Sequence, residues 1–403
     1  MRLSQICIAI AQLGRGGAWS PADLTSLVAW YDPSDLTTLF QDSAGTTPVA
    51  VPGTVADSAN PVGLIQDKSG GGRHASQATS TARPLLSARV NLLTYTENFE
   101  GGNWSGSGST GADILDWSIG ADKYQWLTLP ANTPVRIEFD YSVDSGPDGT
   151  FSINLLSGAS QNIDATPTVQ RYSGVHSTGD ANPYFLFGKV TSGTAFRVSR
   201  MSVVREADGA LPYQSVPGDG STYDGDPALF PYYLAFDGVD DYLSTSAINL
   251  TGTDKVTVFA GAYKGAAPEQ ILVEFSTNTG LNVGAWYITQ PYNSTSVGSA
   301  GLGPQHIAVN LVSVGEASVV TFQAEISADL NSLRINAVNG TNATGDQGTG
   351  TYGNWPLFIG ARSGPSFPFN GNIYSLIIGG ALYDAATVLA AETWVADKTG
   401  VTL

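Results

Sequence analysis

Cysteine is almost absent from the chain: Cys7 stands alone among 403 residues, so no internal disulfide and no disulfide framework are available. Charge is scarce too, at 13% of residues, and positive charge most of all. Eighteen Lys and Arg face 35 Asp and Glu, a net charge of −17 that repels phosphate backbones and excludes DNA or RNA as the expected partner. No apolar run approaches the ~20 residues that span a bilayer, so membrane insertion is not expected. Histidine occurs three times, at His74, His176 and His306, far apart in sequence. With no His-Glu-x-x-His, no Cys-x-x-Cys and no Gly-x-Ser-x-Gly, the usual metal-hydrolase and serine-nucleophile signatures are missing.

What is present is glycine, 47 residues of it, beside 17 Tyr and 15 Phe. That balance favours many short strands joined by tight turns, an all-β chain long enough for two or three domains. The opening MRLSQICIAIAQLG has one basic residue and an apolar run broken by Gln5, a poor secretory signal. Residues 1–20 are therefore read as a docking segment. In SPADLTSLVAW, Ser20 as N-cap, Pro21 at the first helical position and Asp23 in the first turn predict a short helix with Leu24, Leu27 and Val28 on one face. From Asp32 to about Arg89 the pattern is loop with scattered short strands, and KSGGGRH reads as a turn, not a phosphate loop.

Between Asn91 and Glu206 the pattern sharpens. In VRIEFDYSV, Val135, Ile137, Phe139, Tyr141 and Val143 alternate with polar residues, which is a half-buried strand. FSINLL, YFLFGKV and FRVSRMSVV read alike, and together they predict a small sandwich. From Tyr223 onward strands resume to the end of the sheet region. A terminal helix is then expected after Asp384, with Val388, Ala391 and Val395 on one face and Gly400 beyond its end.

The segments LVAWYDPSDLTTLFQDSAGTTPV, QDKSGGGRHASQATSTARP and LAFDGVDDYLST resemble the concanavalin A-like, laminin-G-like jelly rolls of phage tail, fibre and spike proteins. The carriers are Phe236, Asp237, Gly238, Asp240, Asp241, Tyr242 and Leu243, with Gly360, Gly371 and Ile373 in the closing strands. More than 100 residues separate the two motifs, and NLLTYTENFEGGNWSG resembles the start of carbohydrate-binding-module-like domains. The resemblance thus implies a jelly roll, residues 21–90 and 216–403, interrupted by a smaller β-sandwich, residues 91–215. It also implies a virion-surface protein, a tail fibre or head spike of a phage or gene-transfer-agent-like particle. Such a protein would bind other virion proteins through its N-terminal segment, form a homo-oligomer and attach to host surface glycan. A purely structural decoration protein and a polysaccharide depolymerase are the alternatives.

A glycosidase on such a fold needs paired carboxylates, commonly Glu-x-Asp-x-x-Glu along one strand. Glu138 and Asp140 lack the third acid, Glu274 is unaccompanied, and no enzyme activity is expected. Asp237, Asp240 and Asp241 are weak calcium candidates, because Asp in a tight turn normally bonds its own backbone; no other cofactor is expected. Glycan binding needs aromatic faces near polar groups. Trp104, Trp117, Tyr124 and Trp126 supply one candidate group; Trp286, Tyr287 and Tyr292 supply the other. Sandwich cores also use Trp, so each alone is ambiguous.

Overall fold

The computed structural model describes residues 19–49, 60–88, 92–93, 99–100, 104–107, 109–111, 114–116, 122–127, 129, 131–155, 160–205, 232–265, 270–278, 281–292, 296–300, 307–311, 317–340, 346–363, 366–401 and 403. Cys7, the docking segment up to residue 18, Trp117 and His306 lie outside them. In chain order the elements used below begin with β1 (Leu27–Tyr31), β2 (Leu85–Ala88), β3 (Lys123–Trp126), β4 (Pro134–Ser145), β5 (Gly149–Leu155) and β6 (Gln161–Ala165). Next come β7 (Gln170–Ser177), β8 (Tyr184–Lys189), β9 (Ala195–Arg205), β10 (Tyr232–Asp237), β11 (Leu243–Ser244) and β12 (Lys255–Lys264). The last are β13 (Ile271–Phe275), β14 (Trp286–Tyr292), β15 (Ala317–Glu325), β16 (Leu330–Ile335), β17 (Leu357–Ile359), β18 (Asn370–Gly379) and the helix α1 (Ala385–Thr399).

The fold is all-β, a larger sandwich interrupted by a smaller one. Among the described residues, every strand of the smaller sandwich comes from residues 109–205, and its sheets run β6-β5-β8-β3 and β7-β4-β9 followed by Ile114–Asp116 and Ser109–Gly111. The strands of the larger sandwich come from residues 27–88 and 232–379. One sheet there runs β16-β15-β12-β18-β10-β2, with β1 also on β18; the other carries β11-β17-β13-β14 in its middle. All the pairings are antiparallel, as expected when each strand alternates between a dry and a wet face.

The alternation in β4 is the predicted one: Val135, Ile137 and Phe139 are fully buried. They meet Phe151 and Ile153 of β5 and Phe185 and Phe187 of β8 in one core, where Phe139 and Phe187 lie 5.6 Å apart edge to face. Each such Phe contributes roughly 1.5–3 kcal/mol by burial. The larger core mixes aliphatic and aromatic side chains, with Val256, Val258 and Ala260 in one cluster with Val273, Phe275 and Ile288.

At the N-terminus the expected helix is replaced by one 3-10 turn, Pro21–Asp23, and β1. The predicted cap forms, with Ser20 Oγ accepting from Ala22 N and Asp23 Oδ2 accepting from Ser20 N. Ser26, at φ +59°, then turns the chain out of helix, and Leu27 to Tyr31 pair with β18. β18 has an open position beside it, and the apolar run that follows the cap contains Val, Trp and Tyr, residues that suit a strand; packing overrides the local helix signal.

The C-terminal helix forms as read. Asp384 Oδ1 accepts from Thr387 N, Gly400 closes the end at φ +74°, and Val388, Ala391 and Val395 pack on Phe259, Val319 and Ile377. Its Glu392, wholly buried, takes a two-pronged bond from Arg334 on β16 at 2.8 and 3.1 Å. KSGGGRH is a turn built around Asp67. The carboxylate accepts from Trp30 N, Ser69 N and Arg73 N, and Arg73 Nη1 donates to Val28 O at 2.6 Å, tying the turn to β1. Among the described residues no helix is long and apolar enough to cross a membrane.

Candidate functional site

The aromatic group of the smaller sandwich divides into core and surface. β3 reads Lys123 and Gln125 inward and Tyr124 and Trp126 outward, and it forms the edge of its sheet. Trp126 is 60% exposed, the most open tryptophan side chain described. Register places Tyr184 opposite Trp126 and Leu186 opposite Tyr124. The Tyr184 ring stands 5.1 Å from that of Trp126 and 5.3 Å from that of Tyr124, so three aromatic rings share one face of one sheet edge.

Across the same face the side chains turn polar. Leu186 is opposite Asn154, Gly188 is opposite Ser152, and Ser152 is opposite Asn162. Gly188 makes room there for the Ser152 hydroxyl, which a Cβ at that position would strike. Asn154 Nδ2 donates to Ser160 Oγ and Thr150 Oγ1 donates to Asp164 Oδ1, which holds these groups in place. Asp164 is the one carboxylate among the described outward residues of these four strands. Apolar ring faces beside fixed hydroxyl and amide groups are the two components a sugar surface requires.

Trp104 does not join them. It is buried and packs on Phe99 at 4.9 Å and on Phe187 at 6.3 Å, so its candidacy as a glycan contact is corrected to core packing. Trp286 is corrected in the same way: it begins β14 facing inward, 1% exposed, between Phe275 and Phe322. Trp117 lies outside the described residues, as does the side chain of Tyr292. Tyr287, one residue after Trp286, faces the other side of its sheet, where the Arg362 guanidinium lies 5.1 Å from its ring.

The carboxylates have partners. Glu138 and Asp140 point outward on β4 and both pair with Arg171 of β7, at 3.3 and 2.8 Å; Ser173 Oγ also donates to Glu138. Glu274, far from both in sequence and on the larger sandwich, accepts from Ser276 Oγ at 2.6 Å and from Arg362 Nε at 3.3 Å. Burial pushes its carboxyl above the ordinary glutamate range, and those two donors pull the other way. His74 Nδ1 accepts from Asp67 N in the KSGGGRH turn; His176 Nε2 lies 2.6 Å from Tyr172 Oη in the smaller sandwich, and burial holds its pKa below the ordinary value.

Asp237, Asp240 and Asp241 do come together, each with an oxygen within 4.8 Å of the others. Much of that closeness serves the turn itself. Asp237 Oδ1 accepts from Val239 N at 2.8 Å, Asp241 Oδ2 accepts from Asp237 N at 3.0 Å, and Gly238 takes φ +78° between them. Burial, then the charges of Asp237 and Asp240, push Asp241 up to about 7. Three oxygens so placed match the hard-ligand chemistry of calcium, while two of them are already committed to backbone N–H groups.

No family model and no curated protein matches the chain. Among solved structures, a Ruminococcus gnavus sialidase carbohydrate-binding module bound to α2,3-sialyllactose is similar over 35% of this chain and 83% of its own, at 14% identity and TM-score 0.30. A Streptococcus pneumoniae sialidase matches over 39% of this chain at 14% identity and TM-score 0.31, and the match spans 26% of that enzyme. The binding domain of botulinum neurotoxin serotype G matches over 40% of this chain and 42% of its own, at 6% identity and TM-score 0.33. At such TM-scores none of these likenesses carries an argument about this chain.

The sequence alone does not mark Tyr184 or Arg362 as site residues. The alternation of YFLFGK assigns Tyr184 to the outer face, but only the β3–β8 register places it against Trp126.

Proposed function

We propose that this is a non-enzymatic glycan-binding protein, carried at the surface of a phage or gene-transfer-agent-like particle as a tail fibre or head spike that attaches to host polysaccharide. The observation that carries the glycan reading is the exposed Trp126 with Tyr184 and Tyr124 on one sheet face. Aromatic rings of this size are normally buried in a sandwich; held open beside Asn154, Ser152 and Asn162, they offer stacking and hydrogen bonds together. The absence of catalysis is proposed because Glu138 and Asp140 share Arg171 and Glu274 is bound by Arg362 and Ser276, arrangements suited to holding charge rather than moving a proton. The particle-borne part rests on the resemblance of the KSGGGRHA and FDGVDDYL segments to virion jelly rolls, with residues 1–20 as anchor and oligomeric assembly as its corollary.

The burial of Trp104 and Trp286 favours a second reading, in which the β-domains only decorate and stabilise the particle. A glycan array carrying capsule and lipopolysaccharide from candidate hosts separates the two, with polymer length followed in parallel. Binding that disappears in Trp126→Ala, with chains left intact, supports adhesion. No binding by wild-type protein favours decoration, and shortened chains mean that an enzyme is present.

A further inference from the structure

The larger sandwich holds a second arrangement that the aromatic face of β3 and β8 does not explain. Phe367 is 47% exposed and sits at φ +52°, a left-handed conformation that disfavours bulky residues. The other non-glycine residues described in that region are Ser, Asn, Asp and Ala; Phe367 is the one aromatic. Its backbone role does not need the ring, because Phe367 O simply accepts from Ile271 N at 3.0 Å, and glycine would take this φ without strain. A strained, exposed aromatic points to a task for the side chain itself.

That side chain lies against Arg362. The guanidinium carbon is 5.2 Å from the Phe367 ring and 5.1 Å from the Tyr287 ring, so one cation rests on two aromatic rings. Arg362 N donates to Ser366 O, and its Nε donates to Glu274 Oε2, with Ser276 holding the other oxygen of Glu274. The guanidinium is thereby fixed in place through one nitrogen. Its Nη end meets no acceptor among the described residues, and the side chain is 28% exposed.

We propose that Arg362, Phe367 and Tyr287 form a saccharide site for a carboxylate-bearing sugar, of the uronic acid type. The free Nη pair takes the carboxylate in the two-pronged geometry peculiar to arginine, and the exposed ring of Phe367 covers the apolar face of the same sugar. The site is independent of the Trp126 face. Glu274 orients the arginine and is a positioning residue, not a ligand contact.

The test is calorimetric titration of the full chain with trigalacturonate and with its methyl ester, which keeps the sugar and removes the charge. Expected are binding of the acid by wild type and at least tenfold weaker binding of the ester. Phe367→Gly and Arg362→Lys should each weaken acid binding at least tenfold, while Trp126→Ala leaves it unchanged. Phe367→Gly should also melt at the wild-type temperature or above it, since the strain is gone. Because Arg362 anchors buried Glu274, its variant risks the fold, and Phe367→Gly is the decisive one. Failure of wild type to bind, equal affinity for acid and ester, unchanged binding by Phe367→Gly, or a lowered melting temperature in that variant would each overturn the proposal.

Discussion

Trp126 and Trp286 are the same residue in the same kind of element, yet one stands 60% exposed and the other 1%. β3 reads KYQW with Lys123 inward, so its tryptophan falls outward; β14 reads WYITQPY with Trp286 inward, so Tyr287 takes the outer face. Parity decides between core and surface, and a shift of one residue would exchange the two fates. Position in the sheet adds to it. β3 is an edge strand, whereas β14 is covered on one face by the opposing sheet through Phe322. The contrast separates an aromatic that stabilises from one that is available to a ligand.

The strongest way to sharpen that contrast is Trp286→Ala. Removing a filled indole between Phe275 and Phe322 leaves a cavity, and a loss of about 3–5 kcal/mol in denaturant unfolding is expected. Next comes Arg334→Met, which leaves Glu392 buried without its cation. A loss of about 3 kcal/mol is expected, with early amide exchange in α1 marking release of the helix from its sheet.

A smaller effect belongs to Asp241. Its folded pKa, about 7, exceeds the ordinary value of 3.8, so between those limits the folded state holds more protons than the unfolded state. Stability is then greatest below the lower limit and falls as pH rises through 7. Asp241→Asn should remove this slope. We expect a gain of about 2–4 °C in melting temperature at pH 8 and none at pH 4. The smallest effect is that of Trp126→Ala on stability, within about 0.5 kcal/mol of wild type, because the ring fills no core. If Trp126→Ala were as destabilising as Trp286→Ala, the contrast between the two tryptophans would collapse.

Strand alternation is legible in the sequence. Val135, Ile137 and Phe139 point inward as their spacing requires, and Val388, Ala391 and Val395 share the buried face of a helix capped by Asp384. The helix expected after Ser20 failed because its cap is genuine but short-lived: β18 offers hydrogen bonds to Leu27–Tyr31 that a local signal cannot anticipate. The candidate site was legible in part. Tyr124 and Trp126 alternate with Lys123 and Gln125, which puts them on one face, but Trp104 sits in irregular chain, where no period tells inside from outside. Tyr184 and Arg362 depend on register and on loop geometry, which composition does not encode.

Whether the outer aromatic face of β3 and β8 binds glycan is read from affinities for the best array ligand in wild type and Trp126→Ala, with Trp104→Phe as a core control. At least a tenfold loss is expected in Trp126→Ala at unchanged melting temperature, with near-wild-type affinity in Trp104→Phe. Equal affinity of wild type and Trp126→Ala would contradict glycan binding by this face.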